Sequence, residues 1–482
     1  MPQTIIMKSI LDNPKIKQSV IDMTKSNDDF HRVYPGVIRE RQPLHTVYGG
    51  AHLFKSTTAV RLGELARRSM DSYAPDPWTL ARALKLKDWE KLPDSQKEAD
   101  KLFAGPVANN EPAWFANTVY QRVVEKLQRE PVEDFRIDFE DGFGVRSDKE
   151  EDATAKQAAA ETAKAMKDKT LPPFIGIRIK DFDTAPKRAI RTLDIFLKEL
   201  LSKTGGKMPK NFVITQPKVF IPEHTACLVD VLEELESKLK LKAGSLKIEI
   251  MIELTQSIIN HDGVSAIWSF IKAARGRCRG VHFGTYDYTA SCDIIAQMQT
   301  MDNPTCDFAK HFMQVSLMRT NVMLSDGSTN IMPVPIYPNP ANSAQVRANM
   351  VAIHEAWELQ FEHIMHSLRS GYYQGWDLHP SQIIVRYAAC YAFFLQAFNV
   401  MVERMQNFIS VSAQATLVGN VFDDAATGQG LVNFFLKSYN CGAVRKQEIE
   451  DIGIRLKDLQ SHSFPNIIAN YKPKKLTKKK KS

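Results

Sequence analysis

Cysteine is scarce in this sequence, and its few occurrences lie far apart. The 482 residues include six cysteines with no CxxC pair among them: Cys227, Cys278, Cys292, Cys306, Cys390 and Cys441. Scattered cysteines are typical of reduced thiols and argue against a disulfide framework, a zinc site or redox chemistry. We therefore expect a reducing compartment.

Long apolar runs are also lacking. No stretch approaches the roughly 18 to 20 uninterrupted apolar residues that a membrane-spanning helix needs. The opening MPQTIIMKSILDNPKIKQ lacks the apolar run of a signal peptide. The composition, 44% hydrophobic and 24% charged, is that of an ordinary soluble protein. These features predict a cytoplasmic chain with no membrane partner, long enough for one barrel with additions or for two or three domains.

A basic stripe with interleaved aromatic residues, the usual footprint of nucleic-acid binding, is missing as well. The net charge is +8, but the stretch KPKKLTKKKKS contains seven lysines, and subtracting these seven from +8 leaves +1 for the rest of the chain. We interpret residues 471–482 as a solvated, disordered tail rather than a site for a specific anionic partner. No specific nucleic-acid partner is predicted.

Short β-branched or aromatic runs recur along the chain and alternate with helix-like segments such as ATAKQAAAETAKAMK. The repeat is a strand followed by a helix about every 30 residues. Eight such units predict an α/β fold of the closed parallel (β/α)₈ type, a TIM barrel, over residues 45–400. The candidate strands are HTVYG (45–49), FRIDFED (135–141), FIGIRIK (174–180), FVITQPKV (212–219), IEIMIE (248–253), GVHFGTYDY (280–288), MPVPIYP (332–338) and GYYQGWDLHP (371–380).

Three parts of the chain depart from that repeat. Residues 1–44 are predicted to form a helical N-terminal segment. An insertion of roughly 40 residues, at about 75–115, follows the first strand and its helix and is too long for an ordinary loop. We interpret it as a helical elaboration, with a mobile lid as the alternative. Residues 401–470 are predicted to form a helical C-terminal section that covers the active site or forms an interface.

The stretch RIDFEDGFG, from Arg136 to Gly144, ends an apolar strand with three carboxylates. Unpaired buried charges cost several kcal/mol each, so this placement indicates a local need for negative charge. In a barrel of this kind, side chains at the carboxyl ends of the strands carry the chemistry. The polar residues at these ends are Asp138, Glu140 and Asp141 (second strand), Arg178 and Lys180 (third), Gln216 and Lys218 (fourth), Glu253 (fifth), Asp287 (sixth), and Asp377 and His379 (eighth).

Glu253 and Asp287 are candidate metal ligands. Each follows a hydrophobic run on consecutive strands, which would bring two carboxylates to the same height over the barrel mouth. Two carboxylates with waters and substrate oxygens are a common way of holding Mg²⁺. Either carboxylate alone is better explained by a helix N-terminus or a lysine partner, but the pair on adjacent strands favours the metal.

Arg178 lies within the apolar segment FIGIRIK and needs an anionic partner there. Its guanidinium suits bidentate contact with a substrate carboxylate or with a developing enolate oxygen. The alternative is an internal salt bridge to the carboxylates after the second strand. Both can hold together if that cluster orients Arg178 and metal-bound waters.

Six motifs occur in order between His45 and Ile383: DFED at Asp138–Asp141, GIRIK with Arg178, QPKV at Gln216–Val219, MIEL with Glu253, GTYDYT with Asp287, and LHPSQI with His379, Pro380 and Gln382. Through these motifs the chain resembles the HpcH/HpaI aldolase and citrate lyase β-subunit group, with its malyl-CoA lyase and malate synthase relatives. That group lies in the phosphoenolpyruvate/pyruvate barrel superfamily. The resemblance covers the whole barrel.

The resemblance implies Mg²⁺ or Mn²⁺ on Glu253 and Asp287, and an enolate stabilised by Arg178 during cleavage or formation of a carbon–carbon bond next to a carboxylate. In this motif His379 is more often structural than a direct participant. Family members are usually homo-oligomers. The residues given supporting or substrate-binding roles are Asp138, Glu140, Asp141, Lys180, Lys218 and His379.

The segment VFDDAATGQGLVNFF resembles the C-terminal lid of the same group. In that lid an aspartate serves as acid or base and can reach into a neighbouring subunit's site. Asp423 is the first candidate for this role and Asp424 the second. A helix N-cap with an acidic first turn explains the same residues equally well.

Several departures leave the substrate open. Leu254 stands where many relatives have threonine after the metal-binding glutamate, and HTVYGGAHLF lacks the usual V-P-G turn. A small hydroxy- or keto-acid is therefore as compatible as a CoA thioester. A malate synthase-like condensation or a thioester hydrolysis would use the same metal and arginine. A non-catalytic barrel that binds a carboxylic acid is the alternative from a different class.

Overall fold

The computed structural model describes residues 13–36, 40–105, 110–414, 425–461 and 464–471. Eight parallel strands close into a barrel in chain order, and the last strand pairs with the first. This confirms the predicted (β/α)₈ fold. The strands are β1 (His45–Gly50), β2 (Asp134–Asp138), β3 (Phe174–Arg178), β4 (Phe212–Gln216), β5 (Lys247–Ile252), β6 (Cys278–Phe283), β7 (Met323–Ser328) and β8 (Gln374–Asp377).

The seventh strand was predicted in the wrong place. The segment MPVPIYP (332–338) is an irregular connection that follows β7. Its three prolines, Pro333, Pro335 and Pro338, have no N–H to donate to a sheet ladder, which excludes them from a central strand. The strand is instead the fully buried segment MLSDGS, whose polar residues do not resemble a β-branched run.

The sixth strand is shorter than predicted, which changes the setting of Asp287. β6 ends at Phe283, and the following residues form a short helix, Thr285–Ser291. Asp287 therefore lies in the first turn of that helix and not at the end of a strand. It still lies at the carboxyl-terminal end of the barrel.

Helices surround the barrel and form the additions to it. Several begin at a polar residue whose side chain accepts a hydrogen bond from the backbone N–H three residues on, as Asp76, Ser95, Asn110 and Ser147 do. The helices are α1 (Pro14–Val33), α2 (Thr58–Tyr73), α3 (Pro77–Ala83), α4 (Gln96–Ala104), α5 (Glu111–Arg129), α6 (Asp148–Asp168), α7 (Pro186–Thr204), α8 (Pro222–Lys238), α9 (Thr255–Ile258), α10 (Ala266–Ala273), α11 (Thr285–Ser291), α12 (Pro304–Leu317), α13 (Ser343–Arg369), α14 (Pro380–Gln414), α15 (Ala425–Asn440), α16 (Lys446–Asp451), α17 (Leu456–Gln460) and α18 (Phe464–Asn470).

The insertion after β1 contains two short helices, α3 and α4. α3 packs against α5 and α13. The guanidinium of Arg82 lies 4.9 Å from the ring centre of Trp78 and 5.3 Å from that of Trp89, and the Trp78 indole donates a hydrogen bond of 2.7 Å to the Pro93 carbonyl. These contacts make the described part of the insertion a packed helical elaboration.

Two hydrophobic cores share one helix. The large core fills the space between the barrel strands and the surrounding helices and includes the first half of α14. The second joins Val402, Met405 and Ile409 of α14 to apolar residues of α15 to α18. By length and composition α14 is apolar enough to cross a membrane, yet 67% of its apolar window is buried inside the protein, as in a core helix.

Candidate active site

Asp138, at the end of β2, shapes the acidic loop that follows it. Its Oδ1 accepts a hydrogen bond of 2.9 Å from the Glu140 N–H, and its Oδ2 accepts one of 2.8 Å from the Gly142 N–H. A Cβ at position 142 would lie 2.5 Å from Asp138 Oδ2, so the loop requires glycine there. The sequence DFEDG thus folds back on its own first carboxylate.

Arg178, at the end of β3, makes the salt bridge predicted as the alternative to a substrate contact. Its Nε donates to Asp138 at 2.7 Å and its Nη2 at 2.5 Å, while Nη1 lies 3.0 Å from Glu140 and 3.4 Å from Asp141. Burial lowers the pKa of the Arg178 side chain, but the three carboxylates outweigh it and raise that pKa well above its ordinary value. The guanidinium therefore stays charged within the barrel mouth.

Lys218 connects the acidic loop to the end of β5. It adopts a φ of +51°, which is uncommon for a residue with a side chain. Its Nζ donates to Glu140 at 2.5 Å and to Asp141 at 3.3 Å, while its backbone N–H donates to Glu253 Oε1 at 2.6 Å. One residue thus binds three acidic side chains, two from the loop after β2 and one from the end of β5.

Glu253 is a buried carboxylate in an acidic environment. Burial, and then the nearby negative charges of Asp287 and Glu140, raise the pKa of Glu253 well above its ordinary value. A Cβ at position 284 would lie 2.5 Å from Glu253 Oε2, so Gly284 leaves room for this carboxylate. Asp287 is half-buried, and within the described chain its carboxylate takes part in no hydrogen bond or ion pair.

The chemistry of this donor set fits a hard divalent cation. Glu253 and Asp287 are carboxylates whose mutual repulsion a cation would offset, and Mg²⁺ prefers oxygen ligands. Among the described residues no cluster of three or more histidine, cysteine or acidic side chains could hold a metal alone. Waters or substrate oxygens would complete the coordination, as is usual for Mg²⁺.

Glu140 completes the acidic group and titrates near neutrality. Burial raises its pKa to about 7; the charge of Arg178 opposes the shift and Asp141 adds to it. Its side chain is 7% exposed and contacts both cations of the site, Arg178 and Lys218. Acidic and basic side chains therefore alternate across the barrel mouth.

The remaining strand-end residues lie away from this group. Lys180 contacts the Gly144 carbonyl at 3.3 Å and Glu151 at 3.7 Å. The ring of His379 accepts a hydrogen bond of 3.2 Å from the Ser381 N–H in the turn between β8 and α14, and burial lowers its pKa. Lys180 therefore binds the connection and the helix that follow β2, and His379 makes a local contact in the connection that follows β8.

Two further strand-end residues also bind other parts of the fold. Gln216 bonds to the Thr225 hydroxyl and the His224 carbonyl at the start of α8. Asp377 is fully buried between His45 and Arg386.

Asp423 and Asp424 lie outside the described residues, so their role stays a prediction.

Sequence reasoning missed the contribution of β1. The ring of Tyr48 lies 4.9 Å from the Arg178 guanidinium and 4.4 Å from the ring of Trp376. Two residues on, a Cβ at Gly50 would collide with the His52 ring, which places that ring on the same side of β1, beside the acidic loop. The period-two alternation of β1 places Tyr48 and Gly50 on one face and was the signal that could have identified Tyr48. His52 lies in the 3₁₀ turn Ala51–Leu53 that follows the strand and had no such signal.

A second ion cluster closes the barrel below the mouth. The fully buried Arg136 binds Asp134, and its Nη2 donates to Glu249 at 2.5 Å. His282 lies 3.3 Å from the same Glu249 oxygen and accepts a hydrogen bond from the Trp376 indole. Buried polar side chains therefore fill this part of the barrel interior.

The fold is similar to solved structures of two enzymes. A citrate lyase from Burkholderia xenovorans LB400 shares 18% sequence identity with a TM-score of 0.49, over 68% of this chain and 91% of that one. The magnesium and glyoxylate complex of Haloferax volcanii malate synthase shares 12% identity with a TM-score of 0.41, over 89% of this chain and 97% of that one. The narrower assignment to the HpcH/HpaI group stays a prediction.

No curated protein matches the sequence. The sequence model described as Domain of unknown function (DUF6986) matches residues 23–467, which is most of the chain. The chain therefore belongs to the DUF6986 family.

Proposed function

We propose that this protein is a carbon–carbon lyase of the citrate lyase β-subunit type that depends on Mg²⁺ or Mn²⁺. It would act through an enolate on a small hydroxy- or keto-acid or on its CoA thioester. One observation carries the proposal: the buried Glu253 lies beside Asp287 and Glu140, next to the cations Arg178 and Lys218, at the carboxyl-terminal end of the barrel. Active sites of this fold occupy that end.

Glu253 and Asp287 are the residues that would hold the metal ion. A bound divalent ion supplies a Lewis acid that stabilises negative charge on a substrate oxygen. Lys218 restrains Glu253 through its backbone N–H, and Gly284 leaves the space that this carboxylate occupies. The protein thus preorganises one ligand through the backbone, while the carboxylate of Asp287 has no hydrogen-bond or ion-pair partner among the described residues.

Arg178 would bind the substrate carboxylate or the developing enolate oxygen. Three of its N–H groups are directed to the acidic loop, and the Tyr48 ring packs against its guanidinium, so the arginine is fixed before any ligand binds. A preorganised cation stabilises developing charge without reorganisation at the moment of reaction. Proton transfer is proposed for Asp423 or Asp424, on the resemblance of their segment to the family lid.

The alternatives differ in what they require of the same residues. A malate synthase-like condensation or a thioester hydrolysis uses the same carboxylate pair and arginine. A non-catalytic barrel that binds a carboxylic acid predicts loss of a metal ligand or of the arginine. Glu253, Asp287 and Arg178 are all present and close to one another, which favours catalysis.

Calorimetric titration of Mg²⁺ in the presence of oxaloacetate, pyruvate or glyoxylate tests the proposal. We expect keto-acid binding to require the metal and to be lost in Glu253→Gln with Asp287→Asn. A matched control, Glu223→Gln with Asp183→Asn, makes the same chemical change at exposed positions in the connections that follow β4 and β3 and should bind normally. If the protein binds neither Mg²⁺ nor a keto-acid, a metal-dependent enolate site is contradicted. The same holds if Glu253→Gln with Asp287→Asn leaves binding unchanged.

A further inference from the structure

Helix α1 presents an apolar face that nothing in the described chain covers. None of its twenty residues is buried, and its large apolar side chains are 43–59% exposed. The body holds only the end of the helix, where the Tyr34 ring lies 5.9 Å from Trp268 and the Gly36 N–H donates to the Arg319 carbonyl at 3.1 Å. Most of the stability of helices in proteins comes from packing of their apolar face, so this face indicates a packing partner.

The spacing of the apolar residues on α1 indicates what kind of partner this is. Four of them, Ile16, Val20, Met23 and Phe30, together with the polar Asn27, are separated by four, three, four and three residues, which is the seam of a coiled coil with a period of 3.5. Ile21 and Val33 lie off this seam. Val20 and Asn27 occupy one position of this heptad, and Ile16, Met23 and Phe30 occupy the other. We refer to this set as the α1 seam: Ile16, Val20, Met23, Asn27 and Phe30.

The residues that flank the α1 seam suit a second copy of the same helix. Ser19, Thr24 and Ser26 lie beside the seam, and their hydroxyls bond to carbonyls of their own helix at 2.8–3.0 Å. Lys17 and His31 flank the seam on the same side as Thr24. In a parallel pair each flank faces the opposite flank of the other helix, so neither Lys17 nor His31 faces its own copy. Most charges of α1 lie on the outer positions: Lys15, Asp22, Lys25, Asp28, Asp29 and Arg32.

Asn27 selects the direction of pairing. In a parallel pair each Asn27 lies beside Asn27 of the other copy, where two side-chain amides can hydrogen-bond to each other. In an antiparallel pair centred on the seam, Asn27 would face Val20 and its amide would have no polar partner there, which is costly when buried. A single asparagine in such a seam is a known determinant of register.

We infer that α1 pairs in parallel with α1 of a second copy of this chain, through the α1 seam, and that this contact is an interface between subunits in solution. This interface is independent of the proposed activity. It brings the two barrels together at the carboxyl-terminal ends of their α1 helices, where Tyr34 and Gly36 attach each helix to its own body.

Disulfide cross-linking of the full-length protein tests the pairing and its direction. Val20→Cys and Lys25→Cys would each be made in a Cys227→Ser background, because Cys227 is exposed. Both variants keep Asn27. We expect mild oxidation to link two chains through position 20, and position 25, on the outer face, to remain unlinked. Equal linking at both positions, or none at position 20, would overturn the inference.

Light scattering after gel filtration provides the second measurement. Val20→Asp with Phe30→Asp should lower the molecular mass of the assembly relative to wild type, because two buried carboxylates per helix would be brought together. Gln18→Asp with Lys25→Asp places the same residue on the outer face and should leave the mass unchanged. Circular dichroism would check that both variants are folded. A wild-type monomer at all concentrations would also refute the interface.

Discussion

Asp138 is the residue that positions the Arg178 guanidinium in the site. One carboxylate accepts two backbone N–H groups of its own loop and two N–H groups of Arg178. The fold of the loop and the direction of the guanidinium are therefore set by a single side chain. A local change at this residue should disturb both.

We expect Asp138→Asn to destabilise the protein by about 3 to 5 kcal/mol, because it leaves Arg178 as a buried charge that has lost its closest partner. Asp141→Asn is the matched control. Its side chain is 58% exposed and 3.4 Å from Arg178, so its loss should cost less than about 1 kcal/mol. Urea denaturation of the two variants gives both values, and equal costs would contradict this account of Asp138.

Glu140 should make stability depend on pH. Burial raises its pKa from the ordinary 4.5 to about 7. Between these values the folded state binds more protons than the unfolded state, so this group lowers the free energy of unfolding as the pH rises through that window. Relative to wild type, Glu140→Gln should gain up to about 3 kcal/mol between pH 4.5 and pH 7.5.

Urea denaturation at a series of pH values measures that gain. Glu223→Gln, which removes an exposed carboxylate, should follow the wild-type profile throughout. A Glu140→Gln profile parallel to wild type would mean that Glu140 has an ordinary pKa in the folded protein.

At the scale of single elements, the turn from β6 into α11 positions a metal-binding candidate through a glycine. Gly284→Ala would place a Cβ 2.5 Å from Glu253 Oε2 and 2.6 Å from Glu253 Cβ. Because Glu253 must move, we expect Mg²⁺ affinity to fall by about 10-fold or more, as measured by calorimetry.

Gly430→Ala is the control for that substitution. Gly430 lies in α15 with nothing within 4 Å of the position where its Cβ would be. Alanine there should raise stability by about 0.5 to 1 kcal/mol and leave Mg²⁺ affinity unchanged. Normal metal binding by Gly284→Ala would show that Glu253 is not held as tightly as the close approach implies.

Seven of the eight strands were predictable because each is an apolar, β-branched run that a segment with helical periodicity separates from the next. β7 was not, since MLSDGS is buried through hydrogen bonds and ion pairs of its polar residues. Asp326, for example, is fully buried and lies 3.1 Å from the Lys310 ammonium group. Such partners are distant in the chain, and local patterns do not reveal them.

The charged residues of the site could be predicted from the sequence, and its aromatic residues could not. Glu253, Lys218 and Arg178 follow apolar runs and were identified from that placement. Tyr48 was missed because an aromatic residue in a strand more often belongs to the core, and His52 because it lies in the 3₁₀ turn after β1. Only the closed barrel places them beside Arg178 and the acidic loop. Gln216 and Asp377 occupy strand ends but face the outer helices.

At the scale of the whole molecule, the lysines of residues 472–482 account for most of the net positive charge. The tail from Lys472 to Ser482 contains seven lysines of a protein whose net charge is +8. Deleting it should leave the thermal midpoint unchanged and abolish any salt-dependent binding of RNA or DNA, as measured by fluorescence anisotropy. Retained affinity after the deletion would locate a nucleic-acid site on the folded body.

The shared helix α14 has a consequence for how this family can vary in length. It begins at the turn that contains His379, and its 35 residues run continuously from the barrel core to the second core. One inserted residue would advance everything beyond it by about 1.5 Å and turn it by about 100°. The second core would then face away from its own packing surface. Insertions and deletions among relatives should therefore accumulate in the loops and be rejected within α14.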